Sequence, residues 1–267
     1  MKKLILCDMD GTLLDSQKRL PAAFDDVYQE LKAQDVAFGV ASGRQYYCLR
    51  KQFAKYDDML ILAENGAMVY QGDKALFNEC LSDEDILKID KLVGRYYKTE
   101  VVFAGLKGAY IPEDIDPLVY DHIKMYYDRI YYFSNVENLL KEDSLVKVAY
   151  FIKDGKPDEH FKRFNDLKGD YNVVISGKNW IDINSLTVSK GMALNKLKNI
   201  YGLKDEDCYA FGDYENDISL LQAAYHSYAM ANATESVKKV ARATCLSNDE
   251  NGVMLKLKEL FKLKSII

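Results

Sequence analysis

Two aspartates near the amino terminus carry the strongest chemical signal in the chain. Asp8 and Asp10 follow the short apolar run 4–7, and Gly11 comes directly after them. A short apolar run that ends at a glycine predicts a buried strand followed by a tight turn. Side chains two positions apart on an extended backbone point the same way, so both carboxylates should project together. Because neighbouring carboxylates repel each other, the pair indicates a bound cation, a shared proton, or both, and hence a metal-assisted reaction.

Three further polar residues are predicted at the same edge of the sheet. Ser42 follows a second apolar run, Lys190 begins a predicted helix, and Asp213 follows another apolar run. Gly43, beside Ser42, would let backbone amides approach an anion. Each residue alone also has a plain structural interpretation as a helix cap, a surface charge or a turn residue, and Asp-x-Asp-Gly also occurs in solvated turns. Their common position is therefore the informative feature.

Strand and helix signals alternate in the first part of the chain and again after residue 190, which predicts a core of βαβ units. Strands are predicted at 4–7, 36–41, 59–63, 145–152, 172–176, 208–211 and 227–230, with a hairpin over 68–77. Helices are predicted at 22–33, from 45 to about 55, near 83–97, at 190–201 and at 253–262. Ligands of open α/β sheets bind at the carboxyl ends of the strands, where the polar residues are predicted to lie.

The middle of the chain has a different character. It is polar and rich in tyrosine, with signals for several amphipathic helices and short strands. This change predicts an α/β protein with a mostly parallel core sheet, built from residues 1–82 and 187–267, and a second α/β domain inserted over residues 83–186.

The composition narrows the class of function. The chain has 267 residues, 48% of them hydrophobic, and a formal net charge of -5. An acidic total argues against a sequence-independent nucleic-acid binder. Five cysteines are scattered singly, which fits reduced thiols in the cytosol better than disulfides or a zinc site. No apolar run approaches the length of a membrane span. We expect a cytoplasmic protein that associates with neither nucleic acid nor membrane, and its oligomeric state is left open.

Four motifs stand at predicted element ends: Asp8-Met9-Asp10-Gly11-Thr12, Ala41-Ser42-Gly43-Arg44, Ser189-Lys190-Gly191 and Gly212-Asp213-Tyr214-Glu215-Asn216-Asp217. In this order they resemble the motifs of the haloacid dehalogenase-like superfamily of aspartate-nucleophile phosphohydrolases, and of its Cof-type branch in particular. The resemblance covers the whole chain and implies a Rossmann-like core with an α/β cap inserted after the third strand. Asn65-Gly66-Ala67 and Asn232-Ala233 also match, whereas Ala231 stands where the branch commonly has glycine.

The resemblance implies a role for each catalytic residue. Asp8 would attack phosphorus and form an aspartyl-phosphate, and Asp10 would act as the general acid and then the general base. Lys190 would offset the charge on the phosphoryl oxygens. Mg²⁺ would be held by the carboxylates of Asp8 and Asp213 and by the carbonyl of Asp10, with Asp217 as a supporting partner.

The resemblance also implies contacts with the substrate, a small organic phosphate such as a sugar phosphate, a nucleotide or a phosphorylated cofactor. Asn216 would contact phosphate or orient Lys190. The residues assigned to phosphate or substrate are Met9, Thr12, Ser42, Gly43, Arg44, Asn65, Lys190 and Asn216. Tyrosines of the inserted domain could stack on a sugar or a ring, although such runs are more often structural; these are Tyr96, Tyr97, Tyr126, Tyr127, Tyr131 and Tyr132.

Three alternatives compete with a phosphatase. A phosphomutase on the same scaffold would return the phosphoryl group to a substrate hydroxyl instead of water. A receiver-like phospho-switch also places an acceptor aspartate at a strand end, but an acid/base at Asp10 would discharge the intermediate quickly. A catalytically idle scaffold is disfavoured because every required side chain is present.

Overall fold

The computed structural model describes residues 1–96 and 98–265. The chain divides into two compact units. The first unit contains Met1–Ser42, Asp58–Leu62 and Lys190–Ile267, and the second contains Gly43–Asp57 and Ala63–Ser189. Each unit has helices and its own sheet strands. The predicted α/β class is confirmed, because the strands of the first unit are parallel and interleaved with helices.

The elements are numbered in chain order. The strands are β1 (Lys3–Asp8), β2 (Val36–Ala41), β3 (Leu60–Ala63), β4 (Met68–Gln71), β5 (Lys74–Asn78), β6 (Thr99–Gly105), β7 (Ala109–Pro112), β8 (Ile130–Phe133), β9 (Leu145–Ile152), β10 (Tyr171–Gly177), β11 (Trp180–Ser185), β12 (Cys208–Gly212), β13 (His226–Met230) and β14 (Ala243–Cys245). The α-helices are α1 (Phe24–Ala33), α2 (Tyr46–Gln52), α3 (Asp83–Val93), α4 (Pro117–Ile123), α5 (Val136–Glu142), α6 (Pro157–His160), α7 (Lys190–Tyr201), α8 (Ile218–Ala223), α9 (Glu235–Val240) and α10 (Gly252–Phe261). Short 3₁₀ turns lie at Glu64–Gly66, Phe161–Leu167, Asp205–Asp207, Glu215–Asp217 and Asn248–Glu250.

The parallel strands of the first unit follow the order β14-β13-β12-β1-β2-β3. Strand β1 is central: Leu4 pairs with Cys208 of β12, and Asp8 pairs with Ala41 of β2. Its apolar run is fully buried, as expected for a parallel strand that is covered on both faces. Because β1, β2 and β12 are parallel neighbours, their carboxyl ends lie at one edge of the sheet.

The sheet of the second unit has the order β10-β11-β9-β6-β7-β8. Its pairs are antiparallel except for β7 with β8. Helix α3 packs on this sheet through Ile86 and Ile89. A capping box between Ser82 and Asp85 begins the helix, and it ends at Val93, short of the predicted limit near Tyr97. Tyr97 itself lies outside the described residues.

Two further features concern the whole of the described chain. No helix within residues 1–96 and 98–265 is both long enough and apolar enough to cross a membrane. The five cysteines are free thiols, and Cys7 and Cys208 are buried.

Candidate active site

Asp8 is the last residue of β1, and the chain turns sharply after it. Gly11 has a φ of 88°, a left-handed conformation that favours glycine. The amides of Leu13 and Leu14 donate to the carbonyls of Asp8 and Met9 at 3.2 and 2.8 Å. A Cβ on Gly11 would overlap Oδ2 of Asp213. The turn therefore needs glycine twice, for its backbone conformation and for the close approach of Asp213.

Lys190, the first residue of α7, lies between two carboxylates. Its side chain is 0% exposed, and its Nζ lies 2.5 Å from Oδ1 of Asp8 and 2.6 Å from Oδ1 of Asp217. Desolvation alone would lower the pKa of the ammonium, but the charges of Asp217 and Asp8 outweigh burial and raise it. The lysine is therefore held in its charged form beside the predicted nucleophile.

Asp217 joins this lysine to the loop after β12. While Oδ1 faces Lys190, Oδ2 accepts hydrogen bonds from the amides of Asp213 and Tyr214 at 2.9 and 3.1 Å. The carboxylate therefore orients both the lysine and the backbone that carries Asp213. From the sequence, Asn216 was expected to contact phosphate or orient Lys190, and Asp217 to support the metal; in the structure the carboxylate that contacts Lys190 is that of Asp217.

Three buried carboxylates converge at this edge of the sheet. Asp8, Asp213 and Asp217 each offer an oxygen, and these oxygens lie within 4.8 Å of one another. Burial, followed by the charge of Asp217, raises the pKa of Asp8 well above its ordinary value. The same two causes raise the pKa of Asp213 to about 7. Three carboxylates against one ammonium leave excess negative charge, and an oxygen-only donor set of this kind suits a hard divalent cation.

Two more residues position Asp213 and the Gly11 turn. Thr12 Oγ1 donates a hydrogen bond to Oδ1 of Asp213 at 2.7 Å. Asn232, which follows β13, donates from Nδ2 to the carbonyl of Gly11 at 2.8 Å. Thr12 was assigned to phosphate from the sequence, and the structure places its hydroxyl against Asp213.

The side chain of Asp10 contacts Lys18, a residue that was not predicted from the sequence to belong to the site. The Asp10 side chain is 26% exposed, and its Oδ1 lies 2.5 Å from Nζ of Lys18. Lys18 has a φ of 63° in the loop before α1. Its sequence position in a polar loop carries no signal that would distinguish it from an ordinary surface lysine.

The other predicted residues of the first unit lie at the same strand ends. Ser42, directly after β2, is buried, and its amide donates to the carbonyl of Leu62 at 2.8 Å. Met9 is also buried, so a contact with phosphate would have to come from its main chain. Asn216 lies in the 3₁₀ turn Glu215–Asp217.

Gly43, Arg44 and Asn65 belong to the second unit, and their contact with substrate stays a prediction. The carbonyl of Gly43 accepts a hydrogen bond from Nζ of Lys147 at 2.7 Å. Asn65 Nδ2 donates to Oδ2 of Asp182 at 2.6 Å. Neither Lys147 nor Asp182 was predicted from the sequence, although a lone charged residue inside an apolar strand is a recognisable signal.

The tyrosines of the second unit differ in exposure. Tyr127 is buried, whereas Tyr131 and Tyr132 of β8 are exposed. Tyr126 lies under the guanidinium of Arg44, whose Cζ is 5.4 Å from the ring centroid. Stacking on a substrate stays a prediction for the exposed rings, and Tyr97 is outside the described residues.

Comparison with known proteins gives matches over nearly the whole chain. A family profile described as haloacid dehalogenase-like hydrolase matches residues 5–257. In Escherichia coli (strain K12), 5-amino-6-(5-phospho-D-ribitylamino)uracil phosphatase YbjI is 34% identical over 255 residues, covering 94% of this chain and 93% of that protein. In Bacillus subtilis (strain 168), 5-amino-6-(5-phospho-D-ribitylamino)uracil phosphatase YwtE is 28% identical over 282 residues, covering 94% and 95%.

A solved structure shares the fold. SMU.1108c from Streptococcus mutans UA159 aligns with a TM-score of 0.90 at 28% identity, over 98% of this chain and 100% of that chain.

Proposed function

The chain belongs to the haloacid dehalogenase-like hydrolase family and is a phosphatase, and we propose that it hydrolyses small organic phosphate monoesters through an aspartyl-phosphate on Asp8. Mg²⁺ is the proposed cofactor. The observation that carries the proposal is the contact of Asp8 with the fully buried Lys190 beside the carboxylate of Asp213.

The donor set of the site fits Mg²⁺. The converging groups are carboxylates, and Mg²⁺ prefers oxygen ligands. The carboxylates of Asp8 and Asp213 and the carbonyl of Asp10 would hold the ion. Both oxygens of Asp217 already accept from Lys190 or from backbone amides, so Asp217 would support the site. When bound, Mg²⁺ would neutralise charge on the carboxylates and on the phosphate ester, so that an anionic nucleophile can approach an anionic substrate.

The proposed reaction has two steps. A carboxylate oxygen of Asp8 attacks phosphorus, the bond from phosphorus to the ester oxygen breaks, and Asp10 gives a proton to the departing alcohol. Water then attacks the phosphorus of the aspartyl-phosphate and gives a proton to Asp10. The bond from Asp8 to phosphorus breaks, which releases inorganic phosphate and restores both carboxyl groups.

The remaining residues would stabilise the transferred group. Lys190 would face the phosphoryl oxygens with its positive charge, and its two ion pairs hold it in place before substrate arrives. The Ser42 hydroxyl and the Gly43 amide would donate hydrogen bonds to the same oxygens. Positioned donors of this kind contribute roughly 10²–10³ in rate each.

The relatives suggest where to begin the search for the substrate. Two of them are named for 5-amino-6-(5-phospho-D-ribitylamino)uracil, a phosphate ester of a sugar-alcohol chain that carries a ring. We propose this compound as the first candidate, together with sugar phosphates, nucleotides and phosphorylated cofactors. These are metabolites of the cytoplasm, which is the proposed location.

The test is phosphate release from a panel of these esters, in Mg²⁺ and in EDTA, by the wild-type protein and by Asp8→Asn. We expect release that requires Mg²⁺ and is abolished by the substitution. Release that is unchanged in Asp8→Asn would overturn the aspartate mechanism. Analysis of the products separates hydrolysis from a mutase reaction, because a mutase returns an isomeric ester instead of inorganic phosphate.

A further inference from the structure

The second unit buries four polar side chains where three chain segments meet. Glu64 and Asn65 come from the 3₁₀ turn Glu64–Gly66, Lys147 from β9 and Asp182 from β11. We call these four residues the buried polar cluster. Their exposures are between 0% and 2%. Groups so far from water need partners of their own.

The two strands present their members of the cluster on the same face of the sheet. Asp182 lies opposite Ala149 in the antiparallel pair of β11 with β9. Lys147 is two positions before Ala149, so its side chain projects to the same side. Diagonal neighbours of this kind are within reach of a long side chain such as lysine.

The ammonium of Lys147 meets three acceptors. Its Nζ lies 2.5 Å from Oε2 of Glu64 and 3.4 Å from Oδ2 of Asp182, and it donates to the carbonyl of Gly43 at 2.7 Å. The ammonium therefore has one carbonyl acceptor and two carboxylates as ion-pair partners. Desolvation would lower its pKa, but the charges of Asp182 and Glu64 outweigh burial and raise it.

The turn that carries Glu64 and Asn65 is strained. Glu64, Asn65 and Gly66 have successive φ angles of 50°, 61° and 96°. The left-handed region is unfavourable for residues with a Cβ, and such a conformation persists where surrounding contacts hold it. The side chains of the two strained residues are those in contact with Lys147 and Asp182.

Stability is a weak explanation for the cluster. Removing charges from water is costly, and apolar side chains of similar volume often replace a buried ion pair without loss of stability. The cluster instead fixes the positions of neighbouring backbone and side-chain groups. It fixes the Gly43 carbonyl and the Asn65 amide, and the amide of Glu64 donates to the carbonyl of Arg44 at 3.1 Å.

We propose that Lys147 and Asp182 are positioning residues, which hold Gly43 in the orientation that receives phosphate and Asn65 in the orientation that receives the rest of the substrate. The inference rests on the proposed function. Lys147 holds the carbonyl of Gly43, on the same residue as the amide that would donate to phosphate, and Asp182 holds the Asn65 side chain. A Cβ on Gly43 would lie 3.1 Å from Oδ1 of Asn65, so the two positioned residues are also close neighbours.

Because Lys147 and Asp182 position different groups, their replacement should change two different kinetic constants. Lys147→Met should weaken competitive inhibition by inorganic phosphate, because Gly43 loses its fixed orientation. Asp182→Leu should raise KM for the best ester of the panel while leaving phosphate inhibition within about twofold of wild type. We expect each affected constant to change on the order of tenfold, within the range produced by small misplacements of binding groups.

Glu100→Leu is the matched control. Glu100 is also a buried carboxylate of the second unit, and it pairs with Arg95 at 2.6 Å and Lys153 at 2.8 Å. Its replacement should leave KM and phosphate inhibition unchanged even where it lowers stability. If Lys147→Met does not fold, the double variant Lys147→Met/Glu64→Gln removes the ammonium together with one buried carboxylate and carries the same expectation.

The outcomes distinguish the two proposals. A wild-type protein that releases no phosphate from any ester would sink the proposed function itself. Wild-type activity abolished by Asp8→Asn, with KM and phosphate inhibition unchanged in both cluster variants, would overturn only the positioning role. A purely structural cluster would lower the amount of active enzyme, and therefore kcat, without moving either constant.

Discussion

Thr12 and Asp213 are joined by a buried hydrogen bond of 2.7 Å between residues 201 positions apart in the sequence. The bond ties the turn after β1 to the loop after β12. Burial raises the pKa of Asp213, and the Thr12 hydroxyl opposes that rise by donating to the ionised form. Thr12 therefore helps to keep Asp213 in the form that can bind a cation.

Thr12→Val should weaken this support. The substitution keeps the shape of the side chain but leaves a buried carboxylate oxygen without its donor, which costs about 1–3 kcal/mol. We expect a lower free energy of unfolding in urea and a higher Mg²⁺ concentration for half-maximal activity. Thr12→Ser retains the hydroxyl and should stay near wild type in both measurements. Equal behaviour of the two variants would contradict the role of the hydroxyl.

Lys190→Met should lower both stability and activity more than Thr12→Val does. Removing one partner from a buried ionic group costs about 3–5 kcal/mol, and here it leaves the carboxylates of Asp8 and Asp217 together without their cation. We expect kcat to fall roughly 10²–10³-fold, and the free energy of unfolding in EDTA to fall by the amount above.

Lys198→Met is the control on the same helix. Lys198 pairs with the exposed Asp205 at 2.8 Å and donates to the carbonyl of Ala223 at 2.6 Å. Its replacement also removes a largely buried ammonium, but neither of these partners belongs to the candidate site. Its kcat should be that of wild type. A Lys190→Met protein that retains wild-type kcat would remove the lysine from the mechanism.

The pKa of Asp213 predicts how stability varies with pH in EDTA. Its ordinary value is 3.8 and its value in the folded protein is about 7. Between these values folded Asp213 holds a proton that the unfolded chain has lost, so the contribution of Asp213 to stability falls as pH rises through this window. The contribution is on the order of a few kcal/mol. Thermal unfolding in EDTA at intervals from pH 4 to pH 8 measures it.

Asp213→Asn isolates that contribution because the amide does not titrate. The free energy of unfolding of wild type minus that of Asp213→Asn should decrease as pH rises from 4 to 7. Mg²⁺ should reverse the trend in wild type only, since the ion binds the ionised carboxylate. A wild-type stability that rises relative to Asp213→Asn over this window would contradict the pKa.

The edge of the sheet that holds the candidate site is predictable from the sequence because buried parallel strands are continuous apolar runs. The run 36–41 coincides with β2, and the runs 4–7 and 208–211 lie within β1 and β12. Polar residues that follow such runs must lie at the carboxyl ends of the strands. The position of Asp8, Ser42 and Asp213 therefore follows from a pattern that is local in sequence.

The second unit is less predictable because its short strands pair across long sequence separations. The bounds of β7 and β8 were not predicted individually, and their parallel pairing depends on the intervening helix α4. The contact of Lys147 with Gly43 spans 104 positions. No local pattern names the partner of a buried lysine, because tertiary packing decides which acceptor it meets.

Gly11→Ala tests the geometry of the turn that follows Asp8. The φ of 88° at Gly11 is unfavourable for alanine, and backbone strain of this kind costs on the order of 1–3 kcal/mol. In addition, the new methyl group would overlap Oδ2 of Asp213 and displace that carboxylate. We expect a lower melting temperature and a large loss of kcat.

Gly202→Ala separates the effect of backbone strain from that of the displaced carboxylate. Gly202 has a φ of 64°, and its Cβ would meet no heavy atom within 4 Å, so this variant should lose stability but keep kcat. Loss of kcat in both variants, or in neither, would show that the close approach of Gly11 to Asp213 does not control activity.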